Sequence, residues 1–177
     1  ILVVDIGGGS TEFILGSSSG SIRFTERINI GCVNLTEKFI RHSTPDRENL
    51  TGMHRHIKDN LKKVAGMINR QRPISIIGVA GTITALAAID LGLKKYDSVK
   101  IHQHVLSFRK IKEIYKKLCS LSFEERKKIT GLNPKRADII IGGTAIVIEV
   151  LKLLESTEIM TSEKDILDGI IYSLIDF

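Results

Sequence analysis

The start of the chain combines the residue types that bind phosphate. The sequence DIGGGSTE, residues 5–12, places three glycines, a serine and a threonine between two carboxylates. Glycine lacks a Cβ atom, so a ligand can approach the main chain and successive N–H groups can converge on an anion. The serine and threonine hydroxyls would add donors. We therefore predict a phosphate cradle formed by the residues of this turn: Gly7, Gly8, Gly9, Ser10 and Thr11.

The two carboxylates that flank this turn indicate a metal. Asp5 ends one strand-like run and Glu12 begins the next, so both lie at the same mouth of a hairpin. Two carboxylates beside a phosphate would repel it unless a cation lies between them, so we predict that Asp5 and Glu12 hold Mg²⁺ or another divalent cation. The metal and the N–H groups would stabilise charge on the phosphoryl oxygens while a carboxylate orients water for hydrolysis. Asp5 and Glu12 are therefore also the candidate catalytic residues.

Three better-known glycine motifs do not fit this turn. A P-loop needs a lysine and a following helix, and neither is present. The dinucleotide fingerprint GxGxxG and the nucleophile elbow GxSxG both fail at Glu12, and the residues that follow, FILG, are strand-like. The alternative that remains open is a tight hairpin with an ordinary aspartate and glutamate on its rim.

The elements that must position this turn indicate an α/β fold. ILVVDI, EFILG and SIRFTERINI are strand-like, and the short connections between them require antiparallel hairpins. ISIIGVA and EIMTS are later strands that alternate with helical segments. We predict a mixed five-stranded sheet, in which three antiparallel hairpin-linked strands precede parallel strands, flanked by helices.

Local signals predict where the helices begin. Asn34 and Ser162 are expected N-caps, and a long amphipathic helix is expected from Pro45. Two later helices, SFRKIKEIYKKLCS and SFEERKKIT, each start at a serine. KIHQHVLS is strand-like, which would place His102 and His104 on one face; with no third ligand evident, we expect them to pack rather than bind metal.

Two further glycine-containing stretches resemble the first in character. In GVAGTITALAA, residues 78–88, a strand runs directly into a Gly-Thr helix start, which places N–H groups at the carboxyl end of the strand. We therefore predict that Gly81 and Thr82 also bind phosphate. The pair Gly142 and Gly143 lies within RADIIIGGTAIVIEVLKLLE, which we expect to be a helix whose glycine face permits close approach.

Composition narrows the class of protein. The 177 residues are 42% hydrophobic and 26% charged, which is typical of a globular domain, and the apolar runs are too short to span a membrane. Cys32 and Cys119 are far apart and lack a metal-ligand spacing, so we expect free thiols and a cytoplasmic location. The net charge of +6 suggests an anionic partner or a solvated basic face. Aromatic residues do not alternate with the basic ones, which disfavours single-stranded nucleic acid.

DIGGGSTE, GVAGTITALAA and GLNPKRADIIIGG, in this order, resemble the exopolyphosphatase and guanosine pentaphosphate phosphohydrolase family. That family belongs to the superfamily of acetate kinase, sugar kinases, heat-shock chaperones and actin. The resemblance covers essentially the whole chain. It departs near the end, where TSEKDILDGII has Leu167, Asp168 and Gly169 in place of a segment that often ends Arg-Glu-Gly.

The resemblance implies two ribonuclease H-like domains with the active site between them, of which residues 1–177 would form the second. It implies Asp5 and Glu12 near the metal, Gly7 to Thr11 around the phosphate, and a general-base glutamate upstream on or near the first domain. The isolated fragment would then hydrolyse polyphosphate poorly, and the full-length protein would be a homodimer. A polyanionic substrate would also give a role to some residues of the basic runs: Lys127, Lys128, Lys135 and Arg136.

The sequence is compatible with three functions. The first is hydrolysis of phosphoanhydride bonds in inorganic polyphosphate or guanosine pentaphosphate, and the sequence does not choose between these substrates. The second is an ATP-dependent kinase or ATPase of the same superfamily, although the Ser-Thr-Glu run favours the phosphatase branch. The third is a non-catalytic module that binds polyphosphate or an alarmone nucleotide.

Overall fold

A computed structural model of the chain describes residues 1–17, 19–40, 42–71 and 75–175. The strands are β1 (Leu2–Ile6), β2 (Thr11–Gly16), β3 (Ile22–Ile28), β4 (Ile76–Val79), β5 (Val105–Ser107) and β6 (Glu158–Thr161). The helices are α1 (Cys32–Phe39), α2 (Arg47–Gln71), α3 (Ala80–Asp90), α4 (Ser98–Ile101), α5 (Phe108–Ser120), α6 (Phe123–Arg126), α7 (Ile140–Leu153) and α8 (Ile166–Ser173). A single 3₁₀ turn at Pro134–Arg136 precedes α7.

The strands form one mixed sheet in the order β3-β2-β1-β4-β6-β5. β1, β2 and β3 are antiparallel neighbours, whereas β1, β4 and β6 run parallel. The predicted α/β class and the change from hairpins to parallel strands are confirmed. The predicted strand count is corrected, because the described sheet has a sixth strand, β5, which pairs antiparallel with β6 at the sheet edge.

The core lies on one face of this sheet. Alternate residues of β1 are buried, namely Leu2, Val4 and Ile6, as expected for a strand with one covered face. The central helix of the covering layer is α7, which is buried from Ile140 to Leu151 and packs against α1, α2, α3 and α5. This helix therefore joins the starts of α1 and α3, which lie at the carboxyl ends of the strands, to the rest of the fold.

Two of the predicted helix starts are wrong. Gly31 caps α1, because Asn34 lies one turn inside the helix and its Oδ1 accepts from the Gly31 N–H at 2.8 Å. Asp165 caps α8, because the Ser162 N–H donates to Gly78 O at 2.8 Å and keeps Ser162 beside the sheet. The predicted caps of α5 and α6, Ser107 and Ser122, are confirmed.

The segment KIHQHVLS is only partly a strand. His102 and His104 precede β5, so they do not share a strand face as predicted. His104 Nε2 lies 2.9 Å from Asp90 Oδ2, and His102 Nδ1 accepts from the Glu163 N–H at 3.3 Å. Both histidines thus make structural contacts, as expected, and these fix the segment between α3 and β5.

A buried arginine fixes the segment that precedes α7. Arg126 is 1% exposed, and its guanidinium donates to the carbonyl oxygens of Ala137 at 2.9 Å and Leu121 at 2.7 Å. These bonds tie α6 to the residue that follows the 3₁₀ turn. Arg136, the last residue of that turn, is thereby held in a defined place.

The last described helix adds little to the core. α8 has no buried residue among those described, and Ile166, Leu167 and Ile171 are exposed. Within the ranges given above, no helix has both the length and the hydropathy required to cross a bilayer.

Candidate active site at the carboxyl ends of the strands

The hairpin of β1 and β2 brings the two predicted carboxylates together. Asp5 and Glu12 are direct partners in the antiparallel ladder, so their side chains leave the same face of the sheet. They alternate with the buried residues of both strands and are themselves partly exposed. The geometry therefore places both carboxylates beside the glycine turn, on the face opposite the helical core.

The surroundings of the two carboxylates differ. Burial raises the pKa of Asp5 above its ordinary value, and the charges of Glu12 and Asp165 raise it further. Glu12 accepts a hydrogen bond from Ser10 Oγ at 2.6 Å, and its Oε1 lies 3.2 Å from Arg27 Nε. Asp5 is thus a carboxylate among other carboxylates, an arrangement that a bound cation would relieve.

The carbonyl groups of the glycine turn face the start of α1. Gly7 O accepts from the Cys32 N–H at 3.0 Å, and Gly8 O accepts from the Val33 N–H at 2.8 Å. These bonds satisfy N–H groups that a helix start leaves unpaired. The turn is therefore anchored to α1 through its carbonyl oxygen atoms.

The residues predicted to form the phosphate cradle differ in what their donor groups contact. The Gly7 N–H donates to Ser10 O at 3.0 Å within the turn, and Thr11 Oγ1 donates to Ile30 O at 2.7 Å from a fully buried position. The Ser10 hydroxyl donates to Glu12, so both hydroxyls that were predicted as phosphate donors donate within the chain in this structure. Among the described residues, the N–H groups of Gly8, Gly9 and Ser10 donate no backbone or side-chain hydrogen bond.

Gly31 and Asn34 hold this turn in place, a role that the sequence did not predict. A Cβ atom at Gly31 would overlap the backbone of Gly8, so only glycine permits this approach. Asn34 Nδ2 donates to Gly9 O at 2.9 Å. The sequence does show a glycine, Gly31, followed three residues later by an asparagine that can reach back to it. It does not show that Asn34 contacts Gly9, because the two residues are 25 positions apart in the chain.

The second predicted turn lies beside the first. β4 is the parallel neighbour of β1, with Val79 opposite Asp5, and α3 begins at the next residue. Ala80 has a φ of 68°, a left-handed conformation that L-residues adopt at a cost of about 1 kcal/mol or more. Thr82 is buried, and a Cβ atom at Gly143 would overlap its side chain, so that side chain faces the core.

An arginine covers this second turn. A Cβ atom at Gly81 would overlap the Arg136 guanidinium, so the arginine lies directly over the start of α3. Of the four basic residues that the sequence analysis considered for substrate binding, Arg136 is the one that a described contact places at the start of α3. Lys127 instead pairs with Glu124 at 2.8 Å and lies over the Phe123 ring, while Lys128 and Lys135 are exposed.

The glycine pair Gly142 and Gly143 lies inside a helix rather than in a turn. Gly142 and Gly143 lie inside α7, where Cβ atoms would press on Cys32 O and overlap Thr82. The predicted role of the pair in close approach is therefore confirmed. The pair brings α7 against both α1 and the start of α3.

Comparison with known proteins decides the family. The profile of the Ppx/GppA phosphatase family matches residues 1–176. The chain belongs to the Ppx/GppA phosphatase family. It is 42% identical to a bifunctional 3-dehydroquinate synthase/phosphatase of Fusobacterium nucleatum, over 97% of this chain and 26% of that protein. It is 31% identical to exopolyphosphatase 2 of Mycobacterium tuberculosis, over 98% of this chain and 55% of that protein.

Solved structures agree with this assignment. A crystal structure of the Aquifex aeolicus Ppx/GppA phosphatase superposes with a TM-score of 0.89 at 32% identity, covering 97% of this chain and 56% of that one. This Ppx/GppA chain thus spans little more than half the length of that relative and of the mycobacterial exopolyphosphatase, and about a quarter of the fusobacterial protein.

Two carboxylates of this Ppx/GppA chain match the donor set of a magnesium site. In the described ranges, no group of three or more histidine, cysteine, aspartate or glutamate side chains is arranged to hold a metal ion. Mg²⁺ does not require such a group, because it commonly binds one or two carboxylates together with substrate phosphates and water. Asp5, with its raised pKa, and Glu12 fit that donor set.

Proposed function

We propose that this chain forms the phosphate- and metal-binding part of an active site that hydrolyses phosphoanhydride bonds in inorganic polyphosphate or guanosine pentaphosphate. One observation carries the proposal: Asp5 and Glu12 are paired directly beside a turn whose N–H groups at Gly8, Gly9 and Ser10 are available. The names of relatives support the substrate class, since one is an exopolyphosphatase and another, 28% identical, is a guanosine-5'-triphosphate,3'-diphosphate pyrophosphatase of Vibrio parahaemolyticus.

The described residues have distinct parts in this mechanism. The N–H groups of Gly8, Gly9 and Ser10 bind the oxygens of the phosphate that is attacked, and the Arg136 guanidinium at the start of α3 binds the next phosphate. Asp5 and Glu12 would hold Mg²⁺, which when bound supplies positive charge against the phosphoryl oxygens. Ser10 and Arg27 keep the Glu12 carboxylate oriented towards the turn.

The rest of the catalytic machinery is proposed to come from another domain. Glu12 is engaged by Ser10 and Arg27, which leaves it better suited to orienting than to accepting a proton from water. We propose, from the family resemblance, that the general base is a glutamate upstream, on or near a first domain of the same protein. Two-domain organisation and a homodimer remain proposals from the family resemblance. A cytoplasmic location is supported by Cys32 and Cys119, which are both free thiols.

The test is a Glu12→Gln substitution in the natural protein. Removal of the charge should lower the rate of phosphate release from polyphosphate by about a hundredfold or more, because the metal loses a ligand and the turn loses its carboxylate. Phosphate release is followed colorimetrically with Mg²⁺ present. Glu26→Gln is the matched control, since Glu26 lies on the adjacent strand but opposite Phe13, on the other face of the sheet.

Unchanged turnover in the Glu12→Gln protein would refute the assignment. ATP binding that polyphosphate does not displace would instead favour a kinase or ATPase. Tight polyphosphate binding by the natural protein without any phosphate release would favour a non-catalytic binding module.

A further inference from the structure

Three successive carbonyl groups of the glycine turn face the same element, the start of α1. Main-chain N–H groups of α1 hold the first two, Gly7 O at 3.0 Å and Gly8 O at 2.8 Å. The third, Gly9 O, accepts instead from a side chain, because Asn34 Nδ2 lies 2.9 Å away. The first turn of α1 therefore holds all three carbonyl groups, and Asn34 supplies the one contact that does not come from the main chain.

The planes of these peptide groups determine where their N–H groups point. The peptide bonds of the described residues are trans, and in a trans peptide group the carbonyl of one residue and the N–H of the next point in opposite directions. Because the three carbonyls point towards α1, the N–H groups of Gly8, Gly9 and Ser10 point away from it. Successive N–H groups on one side of a turn form a site for an anion.

Asn34 controls the third of these peptide groups, the one between Gly9 and Ser10. Gly9 is exposed, and a Cβ atom there would meet no described atom within 4 Å, so packing does not restrict this residue. Gly8, in contrast, lies against the backbone of Gly31. A glycine that is not restricted rotates at little cost, because both signs of φ are open to it. Rotation at Gly9 would replace the Ser10 N–H by the negative end of a carbonyl group on the side where a phosphate binds.

The Asn34 side chain is itself held in one orientation. Its Oδ1 accepts from the Gly31 N–H at 2.8 Å, whereas Nδ2 faces two carbonyl oxygens, Gly9 O at 2.9 Å and Asn29 O at 3.4 Å. A donor on one side and two acceptors on the other determine which end of the amide is oxygen and which is nitrogen. Asn34 thus couples the start of α1 to the glycine turn through both ends of one amide.

We propose that Asn34 is a positioning residue, which orients the peptide group between Gly9 and Ser10 so that the Ser10 N–H donates to the phosphate that is attacked. Asn34 acts through this peptide group and does not touch the substrate. This inference rests on the proposed function, because it takes the N–H groups of the glycine turn as the phosphate site. It adds a residue of α1, outside the DIGGGSTE turn, on which the rate of hydrolysis depends.

The test is Asn34→Asp in the natural protein, with phosphate release from polyphosphate measured in the presence of Mg²⁺. Aspartate has nearly the same size and still accepts from the Gly31 N–H, but its second oxygen is an acceptor and repels Gly9 O. We expect kcat to fall about tenfold or more, because one donor to the developing charge is misplaced. The melting temperature should stay close to that of the wild type, since an acidic side chain suits the start of a helix.

Two further variants separate positioning from helix capping and from charge. Asn34→Ala loses the hydrogen bonds at both ends of the amide, so it should lower kcat to a similar extent and lower the melting temperature as well. Asn29→Asp is the charge-matched control, because Asn29 is exposed between β3 and α1 and the substitution leaves its main-chain carbonyl in place. An exposed charge is screened by salt, so this control should keep kcat within about twofold of the wild type.

The outcomes separate the inference from the proposed function. An unchanged kcat in Asn34→Asp, or an equal loss in Asn29→Asp, would overturn the inference, while loss of turnover in Glu12→Gln would still support the glycine-turn site. A loss of activity confined to Asn34→Ala and accompanied by a lower melting temperature would also overturn it, because Asn34 would then be a helix cap only. If Glu12→Gln retains full turnover, the proposed function fails and the inference fails with it.

Discussion

Two acidic regions of this molecule surround their carboxylates in opposite ways. At the glycine turn, burial and the neighbouring charges of Glu12 and Asp165 raise the pKa of Asp5. Inside the helical layer, burial would raise the pKa of Glu149, but hydrogen bonds from His54 and Lys152 outweigh it and hold that pKa below its ordinary value. Among the described residues, Asp5 therefore lacks a neighbouring cation, whereas the fold itself supplies cationic side chains to Glu149.

Glu149 is the satisfied member of this comparison. Its side chain is 1% exposed, and Oε1 lies 2.8 Å from both His54 Nδ1 and Lys152 Nζ. Lys58 Nζ is 3.8 Å from the other oxygen, and His54 Nε2 lies 3.0 Å from the Tyr115 hydroxyl. The network joins α2, α5 and α7, so Glu149 has a structural role.

Asp5 is the unsatisfied member. Across the described ranges Asp5 takes part in no ion pair, whereas its strand partner Glu12 pairs with Arg27. A fold that places a half-buried carboxylate next to two others destabilises itself locally. Such an arrangement is expected where a ligand brings the missing charge, which is why Asp5 supports a metal site and Glu149 does not.

The largest expected effect is on stability, through Glu149. Glu149→Ala should lower the free energy of unfolding by about 3 kcal/mol, because a buried network loses its central acceptor and a cavity is left behind. Chemical denaturation of the chain measures this change. Glu113→Ala, at a residue that pairs with Arg109 on the surface of α5, should change it by less than about 0.5 kcal/mol. Equal effects would show that Glu149 is not structurally special.

The same comparison shows what the sequence could predict. Asp5 and Glu12 are joined by a tight hairpin, so local spacing alone was enough to predict that they meet. Glu149 and His54 are 95 residues apart, and no local pattern relates them. The partners of His54 come from two other helices, α5 and α7.

The details of the site show the same limit. The glycine turn was predicted, but the anchoring of its carbonyl groups depended on where α1 docks. Arg136 was one of several basic residues in the sequence, and only the packing of the 3₁₀ turn over Gly81 distinguishes it from the others. Contacts within an element or a hairpin were thus predictable, whereas contacts between distant elements required the fold.

A divalent cation should stabilise one of the two acidic regions, the one at the glycine turn, and leave the other unchanged. Addition of Mg²⁺ should raise the melting temperature of the wild-type chain, with a stabilisation of up to about 2.7 kcal/mol at roughly 100 times the Kd. Asp5→Asn should abolish this response, whereas Asp59→Asn, on the exposed surface of α2, should retain it. A response that survives in Asp5→Asn would place the cation elsewhere.

The smallest effect is a pH dependence of opposite sign in the two regions. The pKa of Asp5 is raised by folding, so its ionisation destabilises the fold as pH rises from the ordinary value of 3.8 through the raised value. In metal-free buffer, Asp5→Asn should therefore raise the melting temperature at neutral pH and have little effect in acid.

The pKa of Glu149 is lowered, so the contribution of its ionised form to stability is present at neutral pH and is lost as pH falls through the lowered value. Glu149→Gln should accordingly destabilise the chain most at neutral pH, and thermal unfolding of both variants across the acidic range distinguishes the two signs. Parallel pH profiles would mean that the two carboxylates are shielded alike, which would remove the physical reason for assigning the metal to Asp5.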